Sequence, residues 1–183
     1  MTSDPEATTT AAVGRLYELL APKVRGYLTL RGVDDPEGLT NEVFVRLIPL
    51  LPQLQGGWQG LRTLTFSIAH ARMVDEHRRR VSRPPGMEYE PHEDPRTSPD
   101  AETEALARVG HEELLGVLDL IPSNQRSVII LRVVGDLSIE QAATAMGMSS
   151  ASVKKLQSKG LETLRRLLTA SHDRPISVLG GLQ

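Results

Sequence analysis

The run Leu137-Ser138-Ile139-Glu140-Gln141-Ala142-Ala143-Thr144-Ala145-Met146-Gly147-Met148-Ser149-Ser150-Ala151-Ser152-Val153-Lys154-Lys155-Leu156 spells two short helices and the turn between them. Ser138 and Gln141 form a capping box, in which the serine hydroxyl and the glutamine side chain satisfy each other's orphan backbone donors. Ala143 is small where two helices must approach closely. Gly147 falls at the turn, where a positive φ is needed. Ser149 then caps a second helix whose Val153 and Leu156 face inward. The pattern predicts a helix-turn-helix, with Ser150, Ser152, Lys154, Lys155, Ser158 and Lys159 facing outward. Short hydrogen-bonders interleaved with cations suit base edges and phosphates. A solvated lysine face would carry the same residues, but caps, alanine and glycine standing in register favour DNA.

Working outward, Leu106, Leu114, Val117, Leu118 and Ile121 mark a helix that Pro122 stops. Val128-Ile129-Ile130-Leu131 fits a buried strand or a helix. Helical neighbours and Ser123 as a cap favour the helix. In the first half, Val13, Leu16, Leu20, Val24, Tyr27 and Leu28 recur at helical spacing, with a break or kink expected at Pro22. Asp35-Pro36-Glu37 is a helix start: a capping carboxylate, proline at the first position, then an acid in the first turn. Leu39, Val43 and Leu47 form the buried stripe of that helix, which Pro49 and Pro52 end. Gly56-Gly57-Trp58-Gln59-Gly60 reads as a flexible loop. A longer helix is expected from about Leu61 to Arg80, apolar at Leu61, Leu64, Phe66, Ile68, Ala69, Ala71 and Met73. No hairpin signal occurs, and the class is all-α.

Composition narrows the function. Of 183 residues 39% are hydrophobic and 3% aromatic, so a core must rest on aliphatic side chains. Cysteine is absent, which excludes disulfides, thiolate metal sites and a cysteine nucleophile. No apolar run approaches the roughly 20 residues that span a bilayer, and the polar, acidic start does not read as a signal peptide, so a cytoplasmic protein is expected. Net charge of −2 hides a pattern: residues 61–83 carry a net +4, residues 84–104 a net −6 and residues 138–170 a net +3. The acidic segment also holds five of the twelve prolines and almost no aliphatic side chains, so it reads as an extended linker. The expected organisation is a helical domain over 11–83, a linker over 84–104, a helix-turn-helix domain over 105–170 and a tail over 171–183. Apolar, glycine-rich Ile176 to Leu182 in that tail is open between disorder and a partner contact.

Ile121-Pro122-Ser123-Asn124-Gln125-Arg126, leading through Leu131-Arg132 into the helix-turn-helix, resembles region four of the sigma-seventy family. Asp35-Pro36-Glu37-Gly38-Leu39-Thr40-Asn41-Glu42-Val43-Phe44-Val45-Arg46-Leu47 resembles region two, as does Phe66 through Arg80. The two motifs in this order, with no region-three domain between them, are similar to the extracytoplasmic-function group over about residues 13–168. The resemblance implies a sigma region 2 bundle and a sigma region 4 helix-turn-helix joined by the acidic, Pro-rich linker. It implies core RNA polymerase as partner, bound through Glu37, Asn41, Glu42 and Arg46. It implies promoter DNA as the other partner: the duplex −35 element met by the recognition helix and Arg126, the −10 element met as a single strand. For that strand it points to Gln55, Gly56, Gly57, Trp58 and Gln59, with Arg62, Arg72, His77, Arg78, Arg79 and Arg80 along adjacent DNA. Trp58 or Phe66 suits base stacking, Phe66 fitting the core better, and extruding a base costs about a few kcal/mol that a snug site must offset. An anti-sigma factor is a further implied partner. The linker resembles the segment that threads toward the polymerase active-site channel, and a plain tether explains its composition equally. Departures fall at Gly38, Asn41, Leu64, Leu156 and Gln157.

An enzyme has little support. The histidines at 70, 77, 92, 111 and 172 are scattered, no metal-ligand spacing occurs, and no phosphate-binding glycine loop follows a strand, so no cofactor and no metal are expected. The rival readings are a one-component regulator binding duplex DNA as a dimer through residues 105–170, and an interaction protein that has lost DNA binding. Neither requires core polymerase.

Overall fold

The computed structural model describes residues 5–82 and 114–172, with side-chain burial described for 11–82 and 114–169. Every regular element among them is helical. Helix α1 spans Pro5–Leu30, α2 Pro36–Leu47 and α3 Gly57–Val81, with a 3-10 turn at Ile48–Gln53 between α2 and α3. The second half holds helical residues 114–119, then α4 (Ser123–Val133), α5 (Ile139–Met146) and α6 (Ser150–His172). The expected acidic linker and C-terminal tail lie outside the described residues.

In the first half, Leu20, Val24, Tyr27 and Leu28 of α1 pack against Leu39, Val43, Phe44 and Leu47 of α2 and Leu61, Phe66, Ala69 and Met73 of α3. Burying a side chain such as Phe66 contributes about 2 kcal/mol, so a dozen of them anchor a small bundle. Two ring contacts carry the sparse aromatics: Tyr17 on Phe44 at 4.6 Å, and Tyr27 edge-on to Phe66 at 5.9 Å. Asp35 caps α2 as expected, its Oδ1 accepting from Gly38 N at 2.8 Å. The same carboxylate occupies the space that a Cβ at 38 would need, which accounts for glycine there.

Four expectations change. Helix α1 runs on through Pro22. Both Pro22 and Glu18, whose carbonyl loses its i+4 donor, are exposed. An exposed acceptor is open to solvent, and the buried Leu20, Ala21 and Val24 on either side hold the helix together. Helix α3 starts at Gly57, so Trp58 and Gln59 belong to its first turn and not to a loop. Gly56 takes a left-handed conformation (φ 85°), and a Cβ at Gly60 would strike the Gln55 carbonyl. The glycines that suggest flexibility thus serve a tight helix entry. Ser123 does not cap α4: Pro122 occupies that position, and the Ser123 hydroxyl accepts from Arg31 at 2.7 Å. Within α3, Ala71 is exposed and lies off the apolar face. Residues 128–131 are helical and buried, as favoured over a strand.

The two halves meet. Helix α3 lies against α5, and α1 against α4, so the buried side chains of both halves form one continuous cluster.

Candidate nucleic-acid interface

The helix-turn-helix forms as its sequence dictates. Ser138 Oγ accepts from Gln141 N at 3.2 Å, and Ser138 N donates to Gln141 Oε1 at 2.7 Å. Gly147 closes α5 at φ 62°, with Met148 N donating to the Ala143 carbonyl at 2.9 Å. Ser149 Oγ accepts from Ser152 N at 3.2 Å and shares a hydrogen bond with the Ser152 hydroxyl at 2.9 Å. Val153 is fully buried, and this fixes the face that α6 turns outward. That face exposes Lys154, Lys155, Ser158 and Lys159, while Ser150 and Ser152 are half-buried. The three lysines make no ion pair within 4.0 Å among the described residues; the backbone N–H of Glu140 and Ser138 hold the Glu140 carboxyl below its usual range, Lys154 is near enough to help, and all three lysine side chains are open to an anionic partner. A concave polar surface continues from Lys159 to Gln125, Arg165 and Arg166. Gly160, which the sequence reading passed over, lets α6 cross α4: a Cβ there would lie 2.8 Å from Ile129 Cδ1 and 3.2 Å from Gln125 Cβ. Its only signal was a glycine inside a helical pattern. Arg126, grouped with the recognition helix in sequence, sits on α4 with most of its side chain buried and pairs with Asp119.

Gln55, Gly56, Gly57, Trp58 and Gln59 are all exposed at the start of α3, and the Trp58 indole is 47% exposed, which is large for the chain's lone tryptophan. Arg62, one turn on, pairs with Asp136 of the other half at 2.6 Å. Arg72 bridges α3 to α2 by pairing with Glu42, with Asp75 at 3.9 Å. The structure therefore joins two residues that the resemblance assigns to different partners. At the other end of α3, His77 and Arg78 are exposed, Arg79 pairs with Glu76 at 2.9 Å and Arg80 with Asp34 at 2.9 Å. Exposed pairs of this kind contribute about 0–1 kcal/mol, so an approaching phosphate can exchange them. The polar side of α2 is a third surface. Glu37 pairs with Arg25 at 3.3 Å, Asn41 Oδ1 accepts from the Tyr17 hydroxyl at 2.8 Å, and Arg46 is exposed without an ion pair among the described residues.

A buried polar cluster lies where α1, α3 and α4 converge. The Tyr27 hydroxyl and His70 Nδ1 share a hydrogen bond of 2.8 Å, and Arg31 reaches Ser123. Burial holds the Tyr27 hydroxyl up at about 12, against the pull of Arg31. Burial, and then the Arg31 charge, press His70 down to about 4, so its ring is neutral at ordinary pH. No group of three His, Cys, Asp or Glu among the described residues is placed to hold a metal. No helix among them is long and apolar enough to cross a membrane.

The described residues are all-helical, with a capped helix-turn-helix, an exposed cationic face and a second basic helix, and the class they define is a DNA-binding protein of the sigma type: residues 111–164 match the family model described as Sigma-70, region 4. Over the longer chain, it is 28% identical across 170 residues to ECF RNA polymerase sigma factor SigD of Mycobacterium tuberculosis, covering 88% of this chain and 79% of that one. It is 30% identical across 135 residues to ECF RNA polymerase sigma factor ShbA of Streptomyces griseus, covering 72% and 70%. Its fold is shared with the sigma factor RpoE of Bartonella quintana, solved with the anti-sigma factor NepR, at TM-score 0.64 and 21% identity over 88% of this chain and 98% of that one. The chain belongs to the ECF RNA polymerase sigma factors. It is an RNA polymerase sigma factor, with RNA polymerase and promoter DNA as its partners. Proteins of this family are not catalytic enzymes in the usual sense.

Proposed function

We propose that the chain divides its work among the three surfaces. Lys154, Lys155, Ser158 and Lys159 of α6, with Ser150 and Ser152 at its start, meet the duplex −35 element. The α3 entry from Gln55 to Gln59, with Trp58 as the stacking side chain and Arg62 beside it, captures the unpaired −10 strand. His77, Arg78, Arg79 and Arg80 run along the adjacent backbone. Glu37, Asn41, Glu42 and Arg46 on α2 dock on core polymerase. Arg72 and Arg126 act through their ion pairs, as supports that hold α3 to α2 and α4 to the preceding helix.

The observation that carries this division is the set of unpaired lysines on a helix whose register is fixed by the buried Val153. Phosphate contacts by such cations supply most of the affinity, and the short polar side chains between them read base edges. The one-component regulator is the weaker reading, because likeness to sigma factors extends through the first half, which such a regulator does not need. The chain acts in the cytoplasm beside polymerase and has no catalytic activity of its own. The anti-sigma factor held by the RpoE neighbour suggests a regulator of the same kind here. Transcription in vitro with purified core polymerase on a promoter library tests the whole. The expected result is initiation, dependent on this chain, from promoters that core alone ignores; duplex binding without core and no initiation would refute it.

A further inference from the structure

The polar side of α2 is held from both flanks within the chain itself. Glu42 is tied to α3 through Arg72, and Glu37 to α1 through Arg25 at 3.3 Å. The third tether is a neutral hydrogen bond placed by a packed ring. The Tyr17 hydroxyl of α1 donates to Asn41 Oδ1 at 2.8 Å, across 24 residues of sequence. The same ring lies on Phe44 at 4.6 Å, and Phe44 is buried. Asn41 and Phe44 are three residues apart, so they share one face of α2 and Tyr17 grips both. The ring contact fixes where the hydroxyl stands, and the hydroxyl selects one rotamer of an exposed amide. With Oδ1 taken, both Nδ2 hydrogens are left for an acceptor on a partner.

We infer that Tyr17 is a positioning residue for docking on core polymerase: it holds the Asn41 amide in the orientation that polymerase meets. The inference rests on the reading of α2 as the docking surface, and it adds a residue of α1 on which that surface depends. An exposed asparagine on a helix samples several rotamers, and binding must otherwise freeze one of them. Tyr17 orders the amide beforehand, so that ordering no longer weighs against the complex. Arg25 contributes less to the same end, because its pair with Glu37 is exposed on both sides and screened by solvent. Arg72 is mostly buried, so its pair with Glu42 supports the bundle as much as the surface. The Tyr17 hydroxyl separates the two roles, because it can be removed while the ring stays on Phe44.

Tyr17→Phe deletes the hydroxyl alone, so the protein should melt as before. Its affinity for purified core polymerase, measured by titrating the full-length chain labelled at its N-terminus, should fall about threefold to tenfold, the range that ordering one side chain is worth. Asn41→Ala should weaken binding at least as much. Tyr17→Phe added to Asn41→Ala should then lose no further affinity, because the hydroxyl has nothing left to orient. A role confined to the fold would persist in the Asn41→Ala background and would show as a lower melting temperature. Unchanged affinity in Tyr17→Phe beside a weakened Asn41→Ala overturns the inference while α2 remains the docking surface. Additive losses in the double variant overturn it as well. If Glu37→Ala, Asn41→Ala and Arg46→Ala all bind core as the unaltered chain does, the docking reading itself falls, an outcome separate from the others because it needs no change at Tyr17.

Discussion

The hydrogen bond between Tyr27 and His70 joins α1 to α3 inside the protein, and it makes the fold sensitive to acid. A histidine in the unfolded chain takes up its proton near 6.5, whereas His70 in the folded chain resists it down to about 4. The unfolded state therefore holds more protons between these values, and stability rises with pH through that window. The full stabilisation is present above 6.5, and as pH falls to about 4 a contribution on the order of 3 kcal/mol is lost. Urea titrations at a series of pH values should show the midpoint falling across this range. His70→Gln should flatten the dependence, and an unchanged slope would mean that the ring is solvated. The sequence put His70 on a helix but could not say which face, because its pattern of apolar neighbours is wide enough to include it or leave it out.

Capping and close approach set the stability of the helix-turn-helix. Ser138→Ala removes the acceptor for Gln141 N and leaves that donor unpaired, which should cost about 1 kcal/mol in thermal or chemical unfolding. The site lies outside the recognition helix, so DNA affinity measured well below the melting temperature should hardly change. Gly160→Leu drives a branched side chain into Ile129 and Gln125 where α6 crosses α4, and should cost about 1–3 kcal/mol. Gly160→Ala should be far milder, since Ile129 Cδ1 is the end of a side chain that can turn aside and alanine favours the helix. Circular dichroism melts of the two variants distinguish a crossing contact from plain helix propensity. Local chemistry made the α5 cap, the Gly147 turn and the Asp35 cap legible in sequence. It misled at Pro22, at the α3 entry and at Ser123, where neighbouring helices override the preference of a single residue.

For the chain as a whole, the proposed division gives the cationic face of α6 and the polar side of α2 separate tasks. Lys154→Glu with Lys155→Glu should abolish promoter binding while leaving association with core polymerase intact. In the single charge-neutral versions, Lys154→Gln and Lys155→Gln, the slope of log affinity against log salt should become shallower by about 1 each. Loss of polymerase association in the double variant, seen by size-exclusion chromatography, would contradict the division of surfaces.

The sequence alone determined the helical class, the helix-turn-helix with its outward lysines, and the family, because each depends on patterns within some twenty residues: apolar spacing, caps and a turn glycine. The tertiary structure decided which of those polar residues are free. Arg62, Arg72 and Arg126 read as cations in sequence, yet each is mostly buried and tied to an acid, and two of those acids are 74 and 30 residues away. Periodicity assigns a side chain to a face of its own helix. The partner across that face is set by how helices distant in the chain pack together, and only folding brings Asp136 to Arg62 or Glu42 to Arg72.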